Sequence, residues 1–283
     1  MAATTTTHAE RVGELLVRSR LEILPLEGIE EQVVEHVEEG TTLTVTASPT
    51  KGLEPTLELT ARLASQGYRV VPHLSARLVV DVAHLSEIVA RLQELQVDDV
   101  FVVAGDAAEP AGRFTGALQL LEGISALGRP FAQVGITGYP ESHPLIDDET
   151  TIRAMFEKAE HATYIASQVC FDPAVTAAWI ENVWARGTRL PIHVGIPGAV
   201  SRAKLLRVSS RIGIGDSLRF LRKNGAFVSR FLRGGFDPGP LVDGLEEVIA
   251  APEPKVAGFH IFTFNDVAES ERWRRARIGA RRG

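Results

Sequence analysis

The sequence predicts an α/β fold, a single closed (β/α)8 barrel of parallel strands, and three observations predict it. Short apolar runs alternate with amphipathic, helix-length segments eight times along the chain, the pattern of β/α units around a parallel sheet. The 283 residues suit a barrel of roughly 250 residues plus modest additions. No G-x-G-x-x-G follows an early strand, which removes the main argument for an open doubly wound sheet. No shift in composition marks a boundary, so 1–283 reads as one domain, with residues 1–8 expected to be disordered.

A short amphipathic helix is predicted over 10–18, ahead of the first strand-like run, Arg20-Leu-Glu-Ile-Leu-Pro25. Helix 29–39 follows it, then the run Thr42–Ala47 and helix 54–66. Tyr68–Ser75 is the third run, with helix 85–95 behind it, and Asp99–Ala104 the fourth, leading through Gly105-Asp106 to a helix over 114–124. Phe131–Gly135 and helix 148–161 form the fifth unit, Tyr164–Gln168 and helix 174–184 the sixth. Leu190–Val194 is the seventh run, followed by helical segments at 203–208 and 217–221. Residues 231–240, rich in Gly and Pro, read as a loop. Val256–Thr263 is the eighth run, and a last helix starts near Asp266.

The bulk numbers exclude several classes. A net charge of −6, with no basic stretch interleaved with aromatics, offers no field for nucleic acid. One cysteine, Cys170, leaves no disulfide framework and no zinc-type cysteine cluster. No uncharged apolar run is long enough to span a bilayer, and the N-terminus lacks signal-peptide features. The expectation is a cytoplasmic protein acting on a small molecule.

Polar side chains collect where the strands end: Thr46, His73, Ser75, Gly105-Asp106, Tyr139, His143 and Gln168. In a parallel barrel that end is where substrates bind. Tyr139 and His143 stand in Ile136-Thr-Gly-Tyr-Pro-Glu-Ser-His-Pro144, where two prolines stiffen the loop that carries them. Glu22 is the most informative residue. A carboxyl set among Leu21, Ile23 and Leu24 pays a desolvation cost when ionised, as a general acid near neutral pH requires. The alternative is a buried glutamate paired with Arg20 or with an arginine of the C-terminal tail. His193 and His260 read as hydrogen-bonded core histidines. With no H-x-H or H-E-x-x-H spacing, the expectation for metal is none. Cys170 reads as a small buried residue rather than a nucleophile. The arginine-rich tail (Arg272, Arg274, Arg275, Arg277, Arg281, Arg282) reads as solvated cations near a helix C-terminus.

Together these segments resemble the methylenetetrahydrofolate reductase family. Leu21-Glu-Ile-Leu-Pro25 resembles its F-E-F-F-P, Pro72-His-Leu-Ser75 its H-L-T, and Ala104-Gly-Asp106 its R-G-D. Gly138–Pro144 is similar to G-Y-P-E-x-H-P, Ser167–Asp172 to T-Q-x-x-F-D, and Gly258–Asn265 to G-x-H-F-Y-T-x-N. The resemblance implies a TIM barrel that reduces 5,10-methylenetetrahydrofolate to 5-methyltetrahydrofolate with NADH or NADPH. It implies Glu22 as the general acid that opens the imidazolidine ring, Asp106 as a catalytic and substrate-binding group, and Gln168 as a folate ligand. It also implies that Thr46, His73, Gly105, Tyr139 and His143 line the cofactor pocket.

Family members hold FAD, and here the resemblance departs. The arginine of R-G-D is Ala104, and a lysine of the family falls on Glu157. The loop between Asp106 and Phe114 is also short. Each unit charge near a bound diphosphate is worth roughly 1–4 kcal/mol, although Arg113, Arg153 or Lys158 could compensate. The expectation is weak or absent FAD binding, with reduced nicotinamide in the flavin's place. A folate-binding barrel without turnover and a flavin-dependent oxidoreductase of another substrate remain as alternatives.

Overall fold

The computed structural model describes residues 8–141, 146–200, 236–251 and 253–279. Eight strands run parallel in chain order: β1 (Arg20–Ile23), β2 (Thr42–Val45), β3 (Arg69–Ser75), β4 (Asp99–Val103), β5 (Gln133–Gly138), β6 (Tyr164–Ser167), β7 (Ile192–Pro197) and β8 (Val256–Phe262). They close into a barrel, with β8 pairing back onto β1 through Arg20↔His260, Leu21↔Ile261 and Glu22↔Phe262. Around it lie α1 (His8–Val17), α2 (Ile29–His36), α3 (Glu54–Ser65), α4 (Val82–Glu94), α5 (Ala117–Ala126), α6 (Asp148–Lys158) and α7 (Pro173–Ala185). After β7 come α8 (Gly239–Asp243) and α9 (Glu246–Ala250), and α10 (Val267–Gly279) ends the described chain. No helix among the described residues is long and apolar enough to cross a membrane.

Successive strand residues point to opposite faces, and here the two faces differ in chemistry. The outward set (Leu21, Ile23, Leu43, Val45, Leu74, Val100, Val102, Ile165, Phe259, Ile261) joins the helices in one large buried core. Inside the barrel the apolar cluster shrinks to Val71, Phe101, Tyr164 and Ala166. Polar side chains occupy much of the remaining interior, in two layers. At the N-terminal floor, Arg20 Nη1 donates to Tyr164 Oη at 2.6 Å and lies 2.9 Å from Asp99 Oδ2, while Tyr164 Oη donates to Asp99 Oδ1 at 2.9 Å. Tyr164 fits only because Gly135 beside it has no side chain. A Cβ there would stand 2.3 Å from the phenol ring.

The observed elements follow the expected order, with local differences. The fifth strand runs on to Gly138 rather than ending at Gly135, because its pairing with β6 continues to Gly138↔Ser167. The seventh runs to Pro197, paired with Phe262. The fifth helix starts at Ala117, three residues later than expected. Residues 239–243 and 246–250 form two short helices that composition did not suggest. The helical segments expected at 203–208 and 217–221 lie outside the described residues. Asp172 caps α7, accepting from the amides of Ala174 (2.9 Å) and Val175 (3.3 Å), with Pro173 at the first helical position. That pairing starts a helix on both counts.

The tail arginines are not all solvated. Arg272 is, paired in the open with Glu269. Arg274 is buried and holds Glu271, itself 1% exposed, through bonds of 2.6 and 2.7 Å, while its Nη1 reaches the carbonyl of Leu16 at 3.1 Å. The pair thereby ties α10 to α1. Arg277 meets Asp243; Arg281 and Arg282 lie outside the described residues. Glu271→Gln should cost about 2–3 kcal/mol, because the Arg274 guanidinium loses its countercharge and one of its two acceptor oxygens becomes an amide donor. A urea midpoint measured at unchanged m-value reads this; no shift would mean the pair contributes nothing net.

Candidate active site

At the C-terminal mouth the second polar layer is Glu22 from β1, His73 from β3 and His260 from β8. Glu22 Oε2 is 3.0 Å from His260 Nε2 and 3.8 Å from His73 Nε2. The three side chains are 14%, 8% and 2% exposed, so a narrow opening reaches the carboxylate and hardly any reaches the imidazoles. Phe101 packs on His73 and Phe262 on His260, each with ring centroids 4.8 Å apart. Burial, partly offset by the Glu22 charge and reinforced by His260, pushes His73 down to about 4. His73 is therefore a neutral imidazole at neutral pH. Its Nε2 is buried and has no hydrogen-bond partner among the described groups.

The strand carrying Glu22 is clamped by the turn after β8. Thr263 Oγ1 donates to the Glu22 carbonyl at 2.5 Å. Asn265 accepts from Leu24 N at 2.8 Å and donates to Leu24 O at 3.1 Å. Phe264 and Asn265 take φ of 51° and 59° to make this possible, a conformation that costs non-glycine residues of order 1–3 kcal/mol each. The Thr and Asn of the T-x-N segment thus hold the glutamate strand in register, a role spacing alone did not reveal.

The other expected site residues are placed as follows. Gly105, at φ 90°, turns the chain out of β4, and a Cβ on it would fall 1.8 Å from Ser75 Oγ. Asp106 comes next, exposed. Arg77 pins this loop, donating from Nε to Ala107 O at 2.6 Å and from Nη2 to Ala108 O at 2.5 Å. It is a residue that the strand-end search passed over, because it sits one turn beyond β3. Gln168 is exposed just past β6, its Oε1 accepting from Val169 N at 2.8 Å. Thr46 is half-buried after β2, its carbonyl receiving Thr56 Oγ1 at 2.8 Å. Tyr139 is half-buried directly after β5. His143 lies outside the described residues. Cys170 donates to Glu141 Oε1 at 3.3 Å, and burial pushes its thiol up to about 12, which agrees with a residue that is no nucleophile.

Two expectations need correction. One is the NAD(P)H or FAD cofactor and the other the absence of a metal, and both turn on His73 and His260. With Glu22 they offer three ligand atoms that all lie within 4.8 Å of one another and are mixed in donor type, the carboxylate partly exposed and the two imidazoles buried. Bonds of about 2.0–2.1 Å to a tetrahedral ion would put ligand atoms roughly 3.4 Å apart, within the range seen here. This cluster could hold a cation, which speaks for a metal-binding site in place of the expected NAD(P)H/FAD pocket and against the expectation of no metal. Sequence spacing could not show it, since Glu22 and His260 are 238 residues apart. Barrel closure makes them neighbours.

Comparison with known proteins adds the following. The family model described as methylenetetrahydrofolate reductase matches residues 32–214, a span that contains His73, Asp106 and Gln168 but neither Glu22 nor His260. Among solved structures, the chain is similar to a protein assigned only provisionally as a lyase/mutase, from Burkholderia cenocepacia J2315. That similarity has a TM-score of 0.50 and 15% identity over 96% of this chain and 84% of that one. It is also similar to an oxaloacetate acetylhydrolase, at TM-score 0.47 and 12% identity over 68% and 72% of the two chains. The 15% identity of the lyase/mutase match speaks to the barrel and not to its chemistry.

Proposed function

The chain belongs to the methylenetetrahydrofolate reductase family, and from that premise we propose that it is an enzyme, a single catalytic barrel, that reduces 5,10-methylenetetrahydrofolate to 5-methyltetrahydrofolate at the mouth described above. One observation carries the reading. Glu22 points into the barrel, 3.0 Å from His260, and its side chain keeps 14% exposure.

In this reading the Glu22 carboxyl gives its proton to N10 as the bond from the methylene carbon to N10 breaks. The N5 iminium so formed takes a hydride at that carbon, which becomes the methyl group. The electrons come from a two-electron donor that visits as co-substrate. His260 holds the glutamate in place between turnovers and returns it to the same geometry. Asp106 and Gln168 meet the flat pterin edge, a few placed hydrogen bonds against the apolar faces of Phe101 and Phe262. Proton transfer of this kind contributes about 10²–10⁴-fold to rate.

The test is anaerobic incubation of metal-free protein with 5,10-methylenetetrahydrofolate and a panel of hydride donors, the folates being separated by chromatography. Stoichiometric 5-methyltetrahydrofolate is the expected product. Tight folate binding with no product from any donor would overturn the enzyme reading in favour of a binding barrel.

A further inference from the structure

We propose that Glu22, His73 and His260 bind one divalent first-row transition ion, and that the ion-loaded and proton-donating states of the site are mutually exclusive. The inference rests on the reading above, because it concerns what else the same carboxylate can hold.

The donor set argues for such an ion. Two imidazole nitrogens and one carboxylate oxygen suit zinc, iron or nickel better than the oxygen-seeking magnesium or calcium. The geometry is close to assembled, at 3.0 Å and 3.8 Å from Glu22 Oε2 to the two Nε2 atoms. His73 supplies the independent sign. Its Nε2 is enclosed, lacks a hydrogen-bond partner among the described groups and faces the Glu22 carboxylate. A buried polar atom without a partner costs about 1–3 kcal/mol, and an ion between the three groups would satisfy it. The three ligands leave a position open toward the mouth, since Glu22 retains the exposure there.

The same geometry limits how tightly the ion is held. His260 Nδ1 has no hydrogen-bond partner among the described groups, so among them that ligand lacks the outer hydrogen bond that normally orients a metal-bound imidazole and raises its basicity. The ion should therefore exchange rather than be a permanent part of the fold. While bound it takes the carboxylate lone pair that would otherwise carry the proton, so the loaded protein should not perform the reduction.

The experiment is a titration of the chelator-treated full chain with Co²⁺, read by visible d–d absorption, and with Zn²⁺, read by calorimetry. One equivalent should bind, and His73→Ala should weaken it by at least about 100-fold, a direct ligand being worth more than outer partners whose loss costs ~10–100-fold. His73→Gln and His260→Gln, checked by near-ultraviolet circular dichroism, guard against a variant that simply fails to fold. No binding to the wild type, or wild-type affinity in all folded variants, would overturn the site. The two proposals fail separately. Absence of product from metal-free protein sinks the reductase reading, and the exclusivity with it, but leaves the ion site standing, and absence of ion binding with product formed sinks the ion site alone. Turnover undiminished with one Zn²⁺ bound would refute the exclusivity.

Discussion

Glu22→Gln should lower 5-methyltetrahydrofolate formation by about 10²–10⁴-fold, the worth of a positioned general acid, and leave the barrel folded. Glutamine keeps the shape of the side chain and can still pair with His260 at the present 3.0 Å separation. The clamp by Thr263 and Asn265 acts on backbone atoms of residues 22 and 24, so it is indifferent to the substitution. What the variant lacks is a proton to give. Folate affinity should change little, so the loss falls on kcat and on kcat/KM together, the mark of an interaction made only in the transition state. Wild-type product formation by the folded variant would remove Glu22 from the chemistry and with it the proposed proton transfer.

Arg20→Leu should destabilise the protein by about 3–5 kcal/mol, the usual cost of stripping one partner from a buried ion pair. Asp99 would keep the Tyr164 hydroxyl but lose the guanidinium 2.9 Å away, in a layer where Arg20 and Asp99 side chains are only 10% and 13% exposed. Asp99 already sits above the ordinary carboxylate range, since burial outweighs the opposing pull of Arg20 and Tyr164. Without Arg20 it should rise further. A carboxyl whose folded pKa exceeds its unfolded value holds more protons in the native state, so stability falls as pH rises through that range. The deficit of Arg20→Leu should therefore be greatest near neutral pH and shrink toward pH ~4. Adding Asp99→Asn should recover much of it, because no buried charge is then left unpaired. Urea unfolding of both variants from pH 4 to 8 decides the matter. A deficit below about 1 kcal/mol at neutral pH would mean that water or a rearrangement replaces the guanidinium.

The two polar layers differ in how far they could be read in advance. Glu22 was visible because a lone carboxylate in Leu21-Glu-Ile-Leu24 is out of place on composition alone. Its partner was not. Arg20, two residues away, was the nearest candidate, yet it lies one layer down on the same strand face and pairs with Asp99 instead. His260 looked like an ordinary core histidine and His73 like a residue lining a cofactor pocket, because neither carries a ligand spacing in the sequence. Arg274 was misread for the opposite reason. It sits beside Arg272 and Arg275, which are exposed, and helix rotation, not composition, put it against Glu271 and Leu16.

What the chain determines by itself is the number, order and direction of its β/α units. Each strand carries its own apolar outward face and most helices an apolar stripe, so burial selects them locally; α10 instead buries Ser270, Glu271 and Arg274 beside Val267. Which polar residues meet inside the barrel is decided only when β8 returns to β1. Closure and stagger are collective properties of all eight strands, and they alone bring residues 22, 73 and 260 together at one mouth.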